Sequence, residues 1–130
     1  MQQIILFFAL FLGFSISIKA QAPQAFQYQA IARSNNGLPI VNQPVGIQIS
    51  ILSGSTTGAI LYVETHAPTT NQFGLFTLEV GQGTVANGTF NTINWGTNRH
   101  YLKVEMDETG GTAYQDMGTV QLLSVPYALH

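Results

Sequence analysis

The chain contains no cysteine and few charged side chains, and each shortage excludes a class of function. With 0 Cys in 130 residues, no disulfide, thiolate nucleophile or cysteine-based zinc site can form. Only 8% of the residues are Asp, Glu, Lys or Arg, and the basic ones form no run. Phosphate contacts supply most of the affinity of nucleic-acid-binding proteins, so we expect no nucleic-acid partner. Docking to anionic lipid by charge is disfavoured for the same reason.

Helical periodicity is also lacking, whereas a long apolar run lies near the N-terminus. The run at residues 4–18 is shorter than the roughly 20 residues that a membrane-spanning helix needs. Its length fits the apolar region of a signal peptide. A small residue precedes the predicted cleavage site after Ala20, so residues 1–20 are predicted to be removed; an uncleaved anchor is the alternative. We therefore expect export to the periplasm, cell surface or medium, with no membrane segment after cleavage.

Residues 21–130 are enough for a single domain and show repeated period-two alternation. The clearest case is Val45, Ile47, Ile49 and Ile51. The other alternating apolar sets are Phe26, Tyr28 and Ala30; Leu61 and Val63; Phe76, Leu78 and Val80; and Leu102, Val104 and Met106. Turn signals such as Asn36-Gly37 separate them at intervals of about 10–15 residues. The pattern predicts an all-β fold, an antiparallel β-sandwich of about six to eight strands, Ig-like or prealbumin-like.

Several segments together carry a resemblance to a known type of module. They are residues 22–30 (APQAFQYQA), 45–52 (VGIQISIL), 70–76 (TNQFGLF), 93–96 (INWG) and 117–129 (MGTVQLLSVPYAL). The domain resembles the N-terminal β module of secreted and cell-surface proteins of Bacteroidota type, which often precedes collagen-like or tail-fibre-like domains. The resemblance implies adhesion, anchoring or assembly and brings no catalytic residues. Residues 37–39 and 70–76 are more loosely similar to transthyretin-like and carboxypeptidase-regulatory-like sandwiches.

Two groups of polar residues are candidates for chemistry. Glu64 and His66 are two residues apart and share one strand face, where a carboxylate and an imidazole suit acid–base catalysis or metal binding. No third partner can be placed beside them, so we expect a solvated strand face. Asp107, Glu108 and Asp116 flank a Gly-rich turn but lack the spacing of a calcium loop, which favours a polar hairpin tip. We expect neither a metal nor a cofactor.

Aromatic residues are the candidates for a ligand surface. Trp95, Tyr101 and Tyr114, with Tyr62 as a further member, would suit stacking against the apolar faces of sugar rings. The alternative, which the sequence favours, is that Trp95 plugs one end of the sandwich while the tyrosines pair across strands.

The last residues are unusually apolar for a chain terminus. A stretch from Met117 to Val125 has ambiguous parity because Leu122 and Leu123 are adjacent, and Tyr127 and Leu129 follow it. A last core strand is the favoured interpretation. The alternative is that residues 124–130, with Val125, Tyr127 and Leu129, dock on another subunit or a following domain.

These observations lead to one expectation and two alternatives. We expect an exported, non-enzymatic structural or interaction module of a cell-surface or envelope assembly, with a protein partner or self-association through the C-terminal segment. A carbohydrate-binding module that uses exposed aromatics is the second hypothesis, and an enzyme is the third.

Overall fold

A computed structural model describes residues 25–123, and within this range the chain is all-β. The strands are β1 (Phe26–Ile31), β2 (Gly46–Ser53), β3 (Ala59–His66), β4 (Leu75–Val80), β5 (Thr84–Asn87), β6 (His100–Asp107) and β7 (Gln115–Leu122), with a short 3-10 helix at Phe90–Thr92. The predicted antiparallel sandwich is confirmed. The predicted signal peptide, residues 1–20, lies outside the described residues. Between residues 25 and 123 no helix has the length and apolarity to cross a bilayer.

The strands form two sheets of unequal size. β1 and β4 make a two-stranded sheet, and the other strands make a five-stranded sheet in the order β5-β3-β2-β6-β7. All neighbouring strands are antiparallel. Phe26 at the start of β1 contacts Trp95, which contacts His100 of β6, whereas Gly81 just after β4 bonds to Glu64 of β3. The small sheet therefore lies with β1 above the β6 side and β4 above the β3 side.

The core lies between the sheets and is formed by alternate residues of their strands. Val45, Ile47, Ile49 and Ile51 are fully buried, which confirms the predicted inward face of β2. The predicted inward faces of β4 and β6 are also confirmed, since their buried apolar residues are Phe76, Leu78, Val80, Leu102, Val104 and Met106. Burial of a side chain of this size contributes about 1.5–3 kcal/mol, so these alternating faces are the main source of stability.

Strand β3 faces the opposite way from the prediction. Tyr62 and Glu64 are fully buried, while Leu61 and Val63 on the other face are partly exposed. The register explains the direction, because Tyr62 lies opposite Ile51 and Glu64 opposite Ile49. Directly opposed residues share a sheet face, and Ile49 and Ile51 point into the core. The expected solvated face at Glu64 is therefore wrong.

The turn before β4 shows how local sequence aligns the small sheet. The Asn71 side-chain oxygen accepts hydrogen bonds from the N–H groups of Phe73 at 2.8 Å and Leu75 at 3.0 Å. Gly74 adopts a φ of 83°, a left-handed conformation that glycine reaches without strain. Its carbonyl accepts the Ala32 N–H at 2.8 Å, so the turn extends the β1–β4 pairing by one step.

Candidate functional site

Trp95 belongs to the core and is not a surface platform, which corrects its place among the candidate ligand contacts. Its exposed fraction is 9%. Its ring meets Phe26 edge-on, with centroids 6.3 Å apart, and lies 5.7 Å from Phe90 and 5.0 Å from His100. Aromatic pairs prefer such tilted and edge-on geometries. Trp95 thus occupies the end of the sandwich where β1 and β6 begin, as the favoured core interpretation predicted.

The structure does not bring the candidate tyrosines together. Tyr62 is fully buried in the core, where its ring lies edge-on to Phe90. Tyr101 is half-buried on the outer face of β6, opposite Gln121 of β7. Tyr114 is half-buried beside Gln115, which pairs with Met106 near the far end of β6. Five strand positions separate Tyr101 from Met106, about 17 Å, so Tyr101 and Tyr114 cannot contact one sugar ring.

The Asp107 carboxylate organises the hairpin between β6 and β7. Its Oδ1 accepts hydrogen bonds from the Thr109 N–H at 2.9 Å and hydroxyl at 2.6 Å, and its Oδ2 accepts one from the Ala113 N–H at 2.9 Å. These bonds, led by the Thr109 hydroxyl, lower the pKa of the Asp107 carboxyl. The predicted polar hairpin tip is confirmed. In the described part of the chain, no three acidic or histidine side chains are grouped as a metal site would require.

The buried carboxylate of Glu64, for which the sequence predicted an exposed position, accepts hydrogen bonds from three groups. Glu64 Oε1 accepts hydrogen bonds from the Tyr62 hydroxyl at 2.6 Å and the Gly81 N–H at 2.8 Å, and Oε2 pairs with His66 Nε2. Glu64 is fully buried, and His66 is largely so. The donors come from β3 itself and from the turn after β4, so this Glu64 cluster (Tyr62, Glu64, His66 and Gly81) connects the two sheets.

The cluster is charged rather than neutral. Burial alone would raise the pKa of the Glu64 carboxyl, but the hydrogen bonds from His66, Tyr62 and Gly81 and the charge of His66 outweigh burial and lower that pKa. Burial, followed by the bond to Glu64 and its charge, raises the pKa of the Tyr62 hydroxyl far above its ordinary value. Tyr62 therefore stays protonated and donates to an ionised carboxylate, a short charge-assisted bond.

His66 also borders an open groove of about 390 Å³, lined further by Pro68, Thr77 and Glu79 among others. An imidazole oriented by a buried carboxylate is one part of an acid–base site. In this cluster, however, the carboxylate already receives three donors, so its role is to hold β3 against the small sheet. The shape of the groove and the cluster do not by themselves indicate a reaction.

The second unusual feature is the inner face of β7. The register puts Val120 opposite Leu102 and Leu122 opposite His100, so these residues face the same way as the core of β6. Yet Val120 is 55% exposed, and only Leu122 packs against the core. Met117 lies at a bulge and has no partner in the register, but it is 46% exposed and borders a cavity together with the buried Met106. The two-stranded sheet ends at β1 and does not cover β7. The result is an apolar strip, here called the β7 strip (Met117, Val120 and Leu122).

A cavity of about 260 Å³ lies between the chain after β1 and the start of β7. Its lining includes Arg33, Met106, Asp107 and Met117. This cavity marks the opening between the sheets at one end of the β7 strip. The predicted last core strand is therefore only partly realised, since β7 joins the large sheet but contributes one packed residue, Leu122. Val125, Tyr127 and Leu129, the predicted docking residues, lie outside the described residues.

The sequence carried a signal for one of these features and not for the other. The adjacent Leu122 and Leu123 left the parity of β7 open, which suits a strand with apolar residues on both faces. For Glu64 the sequence indicated His66 as a neighbour on the same strand face, but it did not indicate burial, because the Gly81 N–H that also binds the carboxylate is distant in sequence.

Comparison with known proteins gives a family but no activity. The chain belongs to the family described as "Domain of unknown function (DUF8740)", which matches residues 27–119. The match spans the sandwich from β1 to within β7. No curated protein and no solved structure matches the chain.

Proposed function

We propose that this member of the family is an exported, non-enzymatic interaction module of a cell-surface or envelope assembly, and that it associates through β7. The β7 strip is the observation that carries the proposal. Soluble monomers rarely leave a row of large apolar side chains in solvent, and such rows mark interaction surfaces. Here Val120 is about half exposed on the face that carries the core residues of β6, and Met117 at the bulge is exposed to a similar extent.

The composition supports a location outside the cytoplasm. The apolar residues 4–18 and the small residue Ala20 fit a signal peptide. The scarcity of charge leaves Gln, Asn, Ser and Thr as the main polar surface, which suits packing into an assembly. The role in adhesion, anchoring or assembly follows from the resemblance described above.

Cell-surface accessibility tests the proposal. An epitope placed in the exposed segment 54–57, between β2 and β3, would leave the β7 strand unchanged, because β6 lies between β2 and β7. In intact cells of the organism that encodes the chain, we expect external protease to remove this epitope, and the protein to elute with large complexes after gentle extraction. A cytoplasmic protein serves as the control for cell integrity. Retention in the cytoplasm, or elution as a free monomer from every exported fraction, would overturn the proposal.

A further inference from the structure

Among residues 25–123 each sheet has two free edges, and β7 is the longest of the four edge strands. β5 has four residues, β1 and β4 have six each, and β7 has eight. Proteins usually guard free edges with lysine, proline, charge or short length. β7 has the sequence QDMGTVQL, with Asp116 as its only charged residue and no lysine or proline. Its apolar strip adds side chains that favour a partner strand.

The hydrogen-bonding pattern shows which backbone groups of β7 are available. The bond from Gly54 N–H to the Arg99 carbonyl extends the β2–β6 ladder, so odd-numbered residues of β6 bond to β2 and even-numbered residues bond to β7. Gly118, Val120 and Leu122 lie opposite even-numbered residues of β6 and therefore bond to it. Thr119 and Gln121 consequently direct their N–H and C=O groups to the free edge.

A bulge limits the part of β7 that can accept a neighbour. The β6–β7 register shifts between Val104 and Glu105, opposite residues 116–118, and Gly118 there has a φ of 125°. A bulge bends a strand and interrupts regular pairing. The regular part of the edge is therefore Gly118 to Leu122, and its central residue is Val120.

We propose that β7 pairs antiparallel with β7 of a second copy of this chain, across a two-fold axis that passes next to Val120. In this register Thr119 of each copy faces Gln121 of the other, and these two positions exchange the free backbone hydrogen bonds. Val120 faces its own counterpart at a non-hydrogen-bonded position, where Cα atoms lie about 4.5 Å apart. Such a contact is self-complementary, as a two-fold interface must be.

Charge is compatible with this pairing. Asp116 is the only charged residue of β7 and lies four positions from the axis, so the two Asp116 side chains are about 27 Å apart in the dimer. At physiological salt the Debye length is about 8 Å, so their repulsion is screened. The facing residues Thr119, Val120 and Gln121 are uncharged and pair without conflict. An edge contact of about five residues is smaller than a standard interface, which buries roughly 1,600 Å², so we expect a weak, concentration-dependent dimer.

The inference deepens the proposed function and depends on it, because it names the partner of β7. Cysteine cross-linking tests the register directly, since the natural chain has no cysteine. The full chain carrying Val120→Cys, purified as its expressing cells process it, should give a disulfide-linked dimer under mild oxidation. Ala86→Cys on the exposed edge strand β5 is the matched control and should cross-link at least tenfold more slowly. Equal rates for the two variants would overturn the pairing.

Sedimentation of the unmodified protein and of Val120→Lys completes the test. We expect a concentration-dependent dimer whose dissociation constant rises at least tenfold in Val120→Lys, with unchanged Trp95 fluorescence as the measure of folding. A monomer at all concentrations, or a dimer that Val120→Lys leaves intact, would refute the inference. So would capture of Val120→Cys by a strand of a different polypeptide, although the proposed function would then stand. A dimer formed by a protein confined to the cytoplasm would reject the function alone.

Discussion

Replacing Glu64 by Gln should lower stability at neutral pH and leave little difference in acid. The substitution keeps the size of the side chain and an oxygen for Tyr62 and Gly81, but it removes the charge that three donors share. Hydrogen bonds to a charged group are worth about 1.5–3 kcal/mol, against about 0.5–1.5 kcal/mol for neutral pairs. The lower desolvation cost of the amide offsets part of this loss, so we expect a decrease in unfolding free energy of about 1–3 kcal/mol at pH 7.

The pH dependence has a definite sign. The pKa of Glu64 is lower in the folded protein than its ordinary value of 4.5, so ionised Glu64 favours the folded state. Its contribution is complete above that ordinary value and disappears as the pH falls through the lowered pKa. The gap between the natural chain and Glu64→Gln should therefore shrink in acid.

Urea unfolding followed by fluorescence measures both effects. Trp95 is the only tryptophan and is buried, so its emission reports on the packed core. Glu79→Gln, on the exposed face of β4, is the matched control and should change the unfolding free energy by less than about 0.5 kcal/mol. Equal stability of Glu64→Gln and the natural chain at pH 7, or a gap that persists in strong acid, would refute the role assigned to the cluster.

Three further predictions test the packing. Ile49→Ala should cost about 2–5 kcal/mol in urea unfolding because it empties a fully buried site, whereas Ile60→Ala, at an exposed position of β3, should cost less than about 0.5 kcal/mol; similar costs would contradict the assigned faces. Gly83→Ala should lower the melting temperature, since its added Cβ would lie 2.6 Å from His66 Nε2 and 2.7 Å from the Thr65 carbonyl oxygen. An unchanged melting curve would show that the backbone here moves enough to accommodate the methyl group. Trp95→Ala should cost about 3–5 kcal/mol in urea unfolding followed by circular dichroism, because the ring is buried among Phe26, Phe90 and His100. A variant as stable as the natural chain would show that Trp95 does not support the core.

The strands that were predicted correctly are those whose inward faces are uniformly aliphatic or aromatic. The inward faces of β2 and β6 could be predicted because their apolar residues alternate with polar ones and are buried between the two sheets, as Ile47, Ile49, Leu102 and Val104 show. β3 could not be read in this way, since both of its faces contain apolar residues and the buried face carries Glu64. Hydropathy predicts that a carboxylate lies at the surface. The hydrogen bonds from Tyr62, His66 and the distant Gly81 N–H offset the free-energy cost of burying this one.

The division into sheets of two and five strands could not be predicted from the sequence, for a different reason. β1 pairs with β4, and the partner of a strand is set by contacts between distant segments rather than by its own pattern. The exposure of β7 follows from that division, because a wider small sheet would have covered Val120. Of the candidate site residues, Trp95 was correctly anticipated as a core plug, whereas Tyr101 and Tyr114 could be separated only once the β6–β7 register was known.

The pairing of β1 with β4 also has a consequence for the order in which the domain folds. β1 is the first of the described strands to be synthesised, but its only neighbour among them is made after β2 and β3. Closing that long loop costs chain entropy before any contact compensates for it, whereas β2 with β3 and β6 with β7 need only short connections. The five-stranded sheet needs a closure of similar length, because β2 pairs with β6. We therefore expect the β2–β3 and β6–β7 hairpins to form first, and the β1–β4 and β2–β6 pairings to follow them.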